Sequence, residues 1–319
     1  MKIKPEISVI MSVYNEFRFL KKSIESILNQ SFSNFEFIII DDCSTDKSLK
    51  IIKEYQKKDK RIKIILNKKN LGLTKSLNKG LKKAKGKYIA RMDADDISLP
   101  KRLEIQYKFL EKNKEIFLLG GGAINIDEND DKITVFRPIC NEKKLRKVLI
   151  TKRNAISHPT IMFRNNNHIF YREKMWYVED YDLYLRLLFK DKGINNIKDK
   201  LIKYRASSTS ICRTKAGHQK LFAEKAKLFY QQRLKQGQDE YESFDPDQIL
   251  KINVNRSDNK LFLEGEIEAS FKKNDFNKCR EFLKRYFKNY GAFNKYLLYY
   301  ATTFLPLKII IKLRKIIFC

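Results

Sequence analysis

Four short apolar runs alternate with helix-length amphipathic stretches over the first third of this 319-residue chain, and that alternation limits the fold more than any other feature. Ile7-Ser8-Val9-Ile10-Met11-Ser12-Val13 is β-rich and nearly continuous in apolar residues, the pattern of a strand covered on both faces in a parallel sheet. Phe35 to Ile40, Ile62 to Leu66 and Tyr88 to Met92 repeat it. Between them, Phe17 to Gln30 carries Phe19, Leu20, Ile24, Ile27 and Leu28 at helical spacing, and Lys47 to Lys58 and Thr74 to Ala84 read as further helices. Ser44 or Thr45 is the expected cap of the second helix. Repeated βαβ units predict an α/β domain with a mainly parallel sheet flanked by helices.

The chemistry-bearing residues follow from that reading. In open α/β sheets ligands bind beyond the carboxyl ends of the strands. Two acidic groups fall there: Asp41-Asp42 after the second strand, and Asp93-Ala94-Asp95-Asp96 after the fourth. Three carboxylates this close repel one another unless a cation joins them. Mg2+ and Mn2+ prefer such oxygen donors, and they commonly combine one or two protein carboxylates with the phosphates of a substrate. Asp42 can accept the imide hydrogen of a uracil base, with the backbone from Ser12 to Tyr14 lining the same crevice; Asp46 is the better candidate for a turn or capping aspartate. Asn70-Leu71-Gly72-Leu73-Thr74, with Lys75 and Asn78, is a turn into a helix where free amides and a lysine can meet a diphosphate.

Further along, Gly120-Gly121-Gly122-Ala123 is a small-residue run, and Thr160 to Phe163 is strand-like. Glu179-Asp180 opens a helix behind Trp176-Tyr177-Val178. The pair reads either as a shielded general base or as favourable charge at a helix N-terminus. His158 is either turned toward phosphates or an ordinary buried histidine.

Beyond Lys215 the strand signal stops, and Gln219 to Gln236, Lys260 to Lys273 and Phe276 to Tyr290 read as helices, the last two forming a hairpin turned at Lys273-Asn274-Asp275. The expected division is therefore 1–215 for the α/β domain and 216–319 for a helical appendage. The segment 296–318 is apolar with interspersed Lys308, Lys312, Arg314 and Lys315 and is broken by Pro306, which suits an in-plane membrane-surface helix better than a span.

Lys and Arg number 67 against 38 Asp and Glu, a formal charge of +29, so an anionic partner or a lysine-solvated surface is expected. No zinc-finger spacing, arginine-glycine run or aromatic RNA-binding signature accompanies the charge, which argues against nucleic acid. The five cysteines are isolated and odd in number, and the N-terminal residues hold no apolar stretch long enough for a signal peptide. A reducing, cytoplasmic setting at the inner face of the plasma membrane is the expectation.

Taken together, Val9-Ile10-Met11-Ser12-Val13-Tyr14-Asn15-Glu16, Phe37-Ile38-Ile39-Ile40-Asp41-Asp42-Cys43-Ser44-Thr45-Asp46, Asn70-Leu71-Gly72 and Asp93-Ala94-Asp95-Asp96 resemble the family 2 glycosyltransferases of GT-A fold, over about residues 5–210. The resemblance implies a donor site of Ser12, Tyr14, Glu16, Asp42, Asn70, Lys75, Asp93 and Ala94, with uracil on Asp42, and Mn2+ or Mg2+ on Asp95 and Asp93. It implies that Asp180 deprotonates the acceptor hydroxyl and that a UDP-sugar is inverted in a single displacement onto a glycan or lipid-linked acceptor. His158-Pro159-Thr160 and Tyr204-Arg205 resemble patches of surface-polysaccharide members. The Gln-x-x-Arg-Trp motif of processive members is absent: Trp176 is the sole tryptophan, and Gln231-Gln232-Arg233-Leu234 does not match. One sugar per acceptor follows. The competing readings are a non-catalytic binding module on the same fold, and a nucleotidyltransferase, which would carry a glycine-rich phosphate loop that Ser8 to Glu16 lacks.

Overall fold

The buried apolar runs become the strands β1 (Ile7–Val13), β2 (Phe35–Asp41), β3 (Ile62–Leu66) and β4 (Tyr88–Asp93), parallel and in the order β3-β2-β1-β4. This is a computed structural model, and it describes residues 4–166, 168–206, 214–253, 257–291, 295–306 and 309–310. Helices α1 (Phe17–Leu28), α2 (Ser48–Lys58) and α3 (Leu73–Lys83) make the crossovers. Leu20, Ile24 and Ile27 of α1 pack into the core that holds Val9, Met11, Phe37, Ile39, Ala90 and Met92, all fully or almost fully buried. Register fixes the functional edge: Val13 lies opposite Asp41, and Ser12 opposite Asp93, so the three strands end level with one another.

The second half of the sheet is less regular. After β5 (Ile97–Ser98) and α4 (Arg102–Lys112) come β6 (Ile116–Ile126), β7 (Lys132–Phe136), α5 (Glu142–Thr151), a 3-10 turn at His158–Thr160, β8 (Met162–Arg164), α6 (Glu179–Phe189) and β9 (Gly193–Arg205). β8 runs antiparallel between β4 and β6, β9 runs parallel to β6, and β5 and β7 add antiparallel edges. The longest pairings are thus parallel within a mixed sheet. The small-residue run proves to be the middle of β6. A Cβ on Gly120 would come within 2.3 Å of Asn196 and one on Gly121 within 2.4 Å of Leu201, so glycine there is what allows β9 to lie alongside.

The chain forms two compact units. One comprises residues 1–173, 179–207 and 230–239 and holds the sheet. The other comprises 174–178, 208–229 and 240–319. Helix α7 (Ala216–Gln236) is shared between these ranges, and α8 (Asp247–Leu250) follows. The second unit is built on α9 (Lys260–Lys272), α10 (Phe276–Tyr290) and α11 (Lys295–Thr302). Leu263, Ile267, Phe271, Phe282, Leu283 and Tyr296 form its core. The predicted hairpin is present: Asn274 turns at φ +64°, and the Asp275 side chain caps α10 by accepting from Lys278 N. Lys308, Lys312, Arg314 and Lys315 of the predicted terminal segment lie outside the described residues. No helix of the described residues is long and apolar enough to cross a membrane.

Candidate active site

The carboxyl ends of β1, β2 and β4 carry the predicted acids. Asp42, 2% exposed, sits one residue past β2, and its backbone N–H donates to Val13 O at 2.8 Å. Its Oδ1 accepts from Asn67 Nδ2 at 2.7 Å and Leu71 N at 2.8 Å, and its Oδ2 from Gly72 N at 2.8 Å. The Leu71 and Gly72 amides of the turn are therefore committed to Asp42 and are not free for a diphosphate. Gly72 stands at φ +83°, a conformation that glycine adopts without strain. A carboxylate has about four lone-pair sites, so one acceptor site on Asp42 remains. Lys75 is half-exposed and lies 3.8 Å from Glu173.

The loops after β1 and β2 hold each other. Ser44 Oγ accepts from Asn15 N at 3.2 Å, and Thr45 N donates to Asn15 Oδ1 at 2.8 Å, so neither residue caps α2 as predicted. Lys47 is the N-cap residue and makes no side-chain cap bond; Asp46, one residue earlier, accepts from Ser48 N at 2.8 Å and from Phe17 N at 3.1 Å. Tyr14 is 46% exposed beside this junction, and Ser12 is half-buried. Glu16 is pushed up to about 7, first by burial and then by the charges of Asp95 and Asp93. That electrostatic link brings the first and fourth strand ends into one site.

Asp93, Asp95 and Asp96 each offer a carboxylate oxygen within 4.8 Å of the others. Burial, reinforced by Asp93, raises Asp95, and burial reinforced by Asp95 raises the fully buried Asp96 further. Asp96 Oδ1 accepts from Arg205 N at 2.7 Å, whereas its buried Oδ2 has no hydrogen-bond partner. Ala94, 4% exposed, is packed beneath them. An all-oxygen set with one orphaned buried oxygen fits a hard divalent cation. Arg205 fastens the turn: Nε donates to Asp95 O at 2.8 Å, the guanidinium reaches Asp127 O and Asp130, both at 2.6 Å, and its plane lies 4.1 Å from the centroid of Phe19.

Asp180 and Glu179 open α6. Asp180 Oδ2 accepts from Asn154 Nδ2 at 2.7 Å, and burial raises its pKa despite that bond. Glu179 is 8% exposed and is raised by burial and by Asp180. His158 is a buried histidine held neutral by burial and by the charge of Arg91; its Nε2 meets Tyr171 Oη at 2.9 Å and its Nδ1 lies 3.9 Å from Glu179 Oε1. Asn78 brackets the Tyr171 backbone with two hydrogen bonds, of 2.9 and 2.8 Å.

Arg91, inside β4, was not singled out by motif reasoning. It pairs with Asp93, and although burial opposes its charge, Asp93 above all, with Glu179 behind it, keeps it protonated. The same cation lowers Asp180 and Glu179, so it stands electrostatically between the aspartate cluster and the α6 pair. The available signal was a lone arginine in an otherwise apolar strand.

Carboxyls whose folded pKa is raised contribute stability that is complete below their unfolded values and is lost as pH rises through the folded ones, near 6 for Asp95. A cation needs those groups ionised. The rise in Tm produced by Mn2+ is therefore expected to grow between about pH 5 and pH 8, as read by differential scanning fluorimetry. An equal rise at both ends would place the cation elsewhere.

A parallel α/β core whose strands end level on an aspartate cluster is the architecture of a GT-A-type glycosyltransferase. Comparison with known proteins agrees. Residues 8–171 match the model of glycosyl transferase family 2. An uncharacterized glycosyltransferase of Methanocaldococcus jannaschii is 42% identical over 224 residues, covering 69% of this chain and 77% of that protein. The Escherichia coli O-antigen biosynthesis glycosyltransferase WbnJ is 38% identical over 218 residues, covering 66% and 83%. Among solved structures, S. aureus TarS 1-349 in complex with UDP covers 95% of this chain and 76% of its own at TM-score 0.53 and 20% identity. The Pyrobaculum calidifontis mannosyltransferase PcManGT, in complex with GDP-Man and Mn2+, covers 99% and 85% at TM-score 0.56 and 12% identity. The chain belongs to glycosyl transferase family 2, and it is a glycosyltransferase.

Proposed function

We propose that the protein is an inverting, metal-dependent, non-processive glycosyltransferase that moves one sugar from a nucleotide-sugar, most suitably a UDP-sugar, to a hydroxyl of a glycan or lipid-linked acceptor in surface-polysaccharide biosynthesis at the cytoplasmic face of the membrane. The observation that carries this reading is the level ending of β1, β2 and β4 on Asp42 and Asp93-Ala94-Asp95-Asp96, linked through Arg91 to Glu179 and Asp180. WbnJ, named for O-antigen biosynthesis, supports the pathway class, and the UDP complex of TarS supports the donor class.

Asp42 presents its remaining acceptor site to the base, beside Ser12 and Tyr14. Glu16, Asn70, Lys75 and Ala94 complete the donor side. Asp93 and Asp95 would hold Mn2+ or Mg2+, which would supply charge neutralisation for the departing diphosphate. Asp180, raised by burial toward the pH at which it works, takes the proton of the acceptor hydroxyl. The acceptor oxygen forms its bond to the anomeric carbon as the carbon–oxygen bond to the nucleoside diphosphate breaks, which inverts that carbon. Asn154 orients Asp180 through its amide.

A nucleotide-release assay over a panel of UDP-sugars and GDP-mannose, with Mn2+ or Mg2+, tests the reading. Release with one donor should require metal and fall at least about a hundredfold in Asp95→Ala. Release that persists in that variant, or that ignores chelation by EDTA, would remove the metal from the mechanism. Metal-independent donor binding without turnover in any acceptor mixture would favour the binding module.

A further inference from the structure

Helix α11 and the turn that follows it present an apolar stripe to the outside. Leu297 is 45% exposed, Leu298 52%, Phe304 62%, Leu305 39% and Ile309 45%, whereas Tyr296 and Tyr299 of the same helix are buried in the core of the second unit. Leu297, Leu298 and Ala301 lie on one side of α11 at i, i+1 and i+4, and Phe304 and Leu305 follow on the turn after it. Five large apolar side chains are exposed within 13 residues of chain, whereas scattered single ones would call for no explanation.

Positive charge borders this patch. Helix α10 touches α11 through Phe287, whose ring lies 5.8 Å from Tyr300, and through Arg280, which lies 4.9 Å from the ring of Phe304 and donates to Thr303 O at 2.9 Å. Arg280, Lys284, Phe287 and Lys288 share a face of α10 at i, i+4, i+7, i+8, so Lys284 and Lys288 continue the row that Arg280 begins. Both lysines are exposed, and among the described residues neither has a carboxylate partner. Helix α10 carries five basic residues against the single acid Glu281.

We propose that this face of the second unit docks in the plane of an anionic phospholipid bilayer, with Leu297, Leu298, Phe304 and Leu305 entering the headgroup boundary and Lys284 and Lys288 meeting lipid phosphates. An apolar stripe edged with lysine matches both components of such a surface, and the chain's charge of +29 favours the negative one. A second copy of the chain would oppose lysine to lysine at the rim, which disfavours self-association through this patch.

The test is co-sedimentation of the full chain with vesicles of phosphatidylcholine alone and of phosphatidylcholine with phosphatidylglycerol. The protein should pellet with the anionic vesicles and much less with the neutral ones. Leu297→Ser/Leu298→Ser/Phe304→Ser should weaken binding at least about tenfold, and Lys284→Glu/Lys288→Glu should weaken it and flatten its salt dependence. These residues are already exposed, so both variants should keep the wild-type Tm. Nucleotide release in solution should be unchanged in both, which separates failure of this proposal from failure of the proposed reaction. Equal pelleting of wild type and the triple-serine variant, absence of pelleting with anionic vesicles, or a wild-type dimer in light scattering that the serines dissolve would each overturn it.

Discussion

Asp180→Asn is expected to lower kcat by about 10²–10⁴-fold while leaving the affinity for nucleotide-sugar within a few fold of wild type. Asparagine keeps the size of the side chain, but its one Oδ1 can accept from Asn154 Nδ2 or from Tyr181 N and not from both, so one of these two bonds is lost together with the proton acceptor. The pH profile gives a second check. Burial holds Asp180 above the ordinary aspartate range, at about 6, so the wild-type rate should fall as pH drops through that region, where the base becomes protonated. The residual rate of the asparagine variant should lack that limb. A variant with full kcat would mean that Glu179 or another group removes the proton. Lost activity with intact donor binding would also dismiss the binding-module alternative.

Arg91→Met should destabilise the fold by about 3 kcal/mol, read from urea denaturation without metal. The arginine side chain is 5% exposed and its partner Asp93 27%, so the pair is largely but not wholly sheltered from water. Removing the cation leaves Asp93 near Asp95, Asp96 and Glu16 without its own ion-pair partner, Arg205 alone still offsetting Glu16 and Asp95, and leaves the Glu179–Asp180 pair without the charge that lowers both. Mn2+ should recover part of the loss, because it supplies positive charge to the same carboxylates. Arg91→Lys should cost less. A methionine variant within about 0.5 kcal/mol of wild type would show that the arginine charge is not needed to hold the acids together.

How much of this was readable in the sequence varied by region for physical reasons. Strands β1, β2 and β4 are covered on both faces, so they announce themselves as apolar runs, and the acidic ends of β2 and β4 are conspicuous by contrast. Strand β9 gave no such signal. Its residues Gly193-Ile194-Asn195-Asn196-Ile197-Lys198-Asp199-Lys200 mix polar and apolar types without a steady period, because its register against β6 shifts near Gly121 and Gly122. The small-residue run in β6 carries no strand signal, since glycine disfavours strands in general; the close approach of Leu201 and Asn196 explains it here. The acids of the site could be found by motif, but the side chains that position them could not. Arg91, Arg205 and Asn154 lie between 2 and 110 residues from their carboxylate or backbone partners, and nothing in local spacing points to those pairs.

The reach of Arg205 sets an order of assembly. The acid turn at Asp95 and Asp96 is made early in the chain, but the side chain that clasps it arrives 110 positions later, at the last residue of β9, and the same guanidinium gathers the 127–130 loop. A chain that ends before β9 has Arg91 for Asp93 but lacks the clasp on Asp95 and Asp96. The cation proposed for these acids would therefore find its seat complete only with the final strand of the sheet in place.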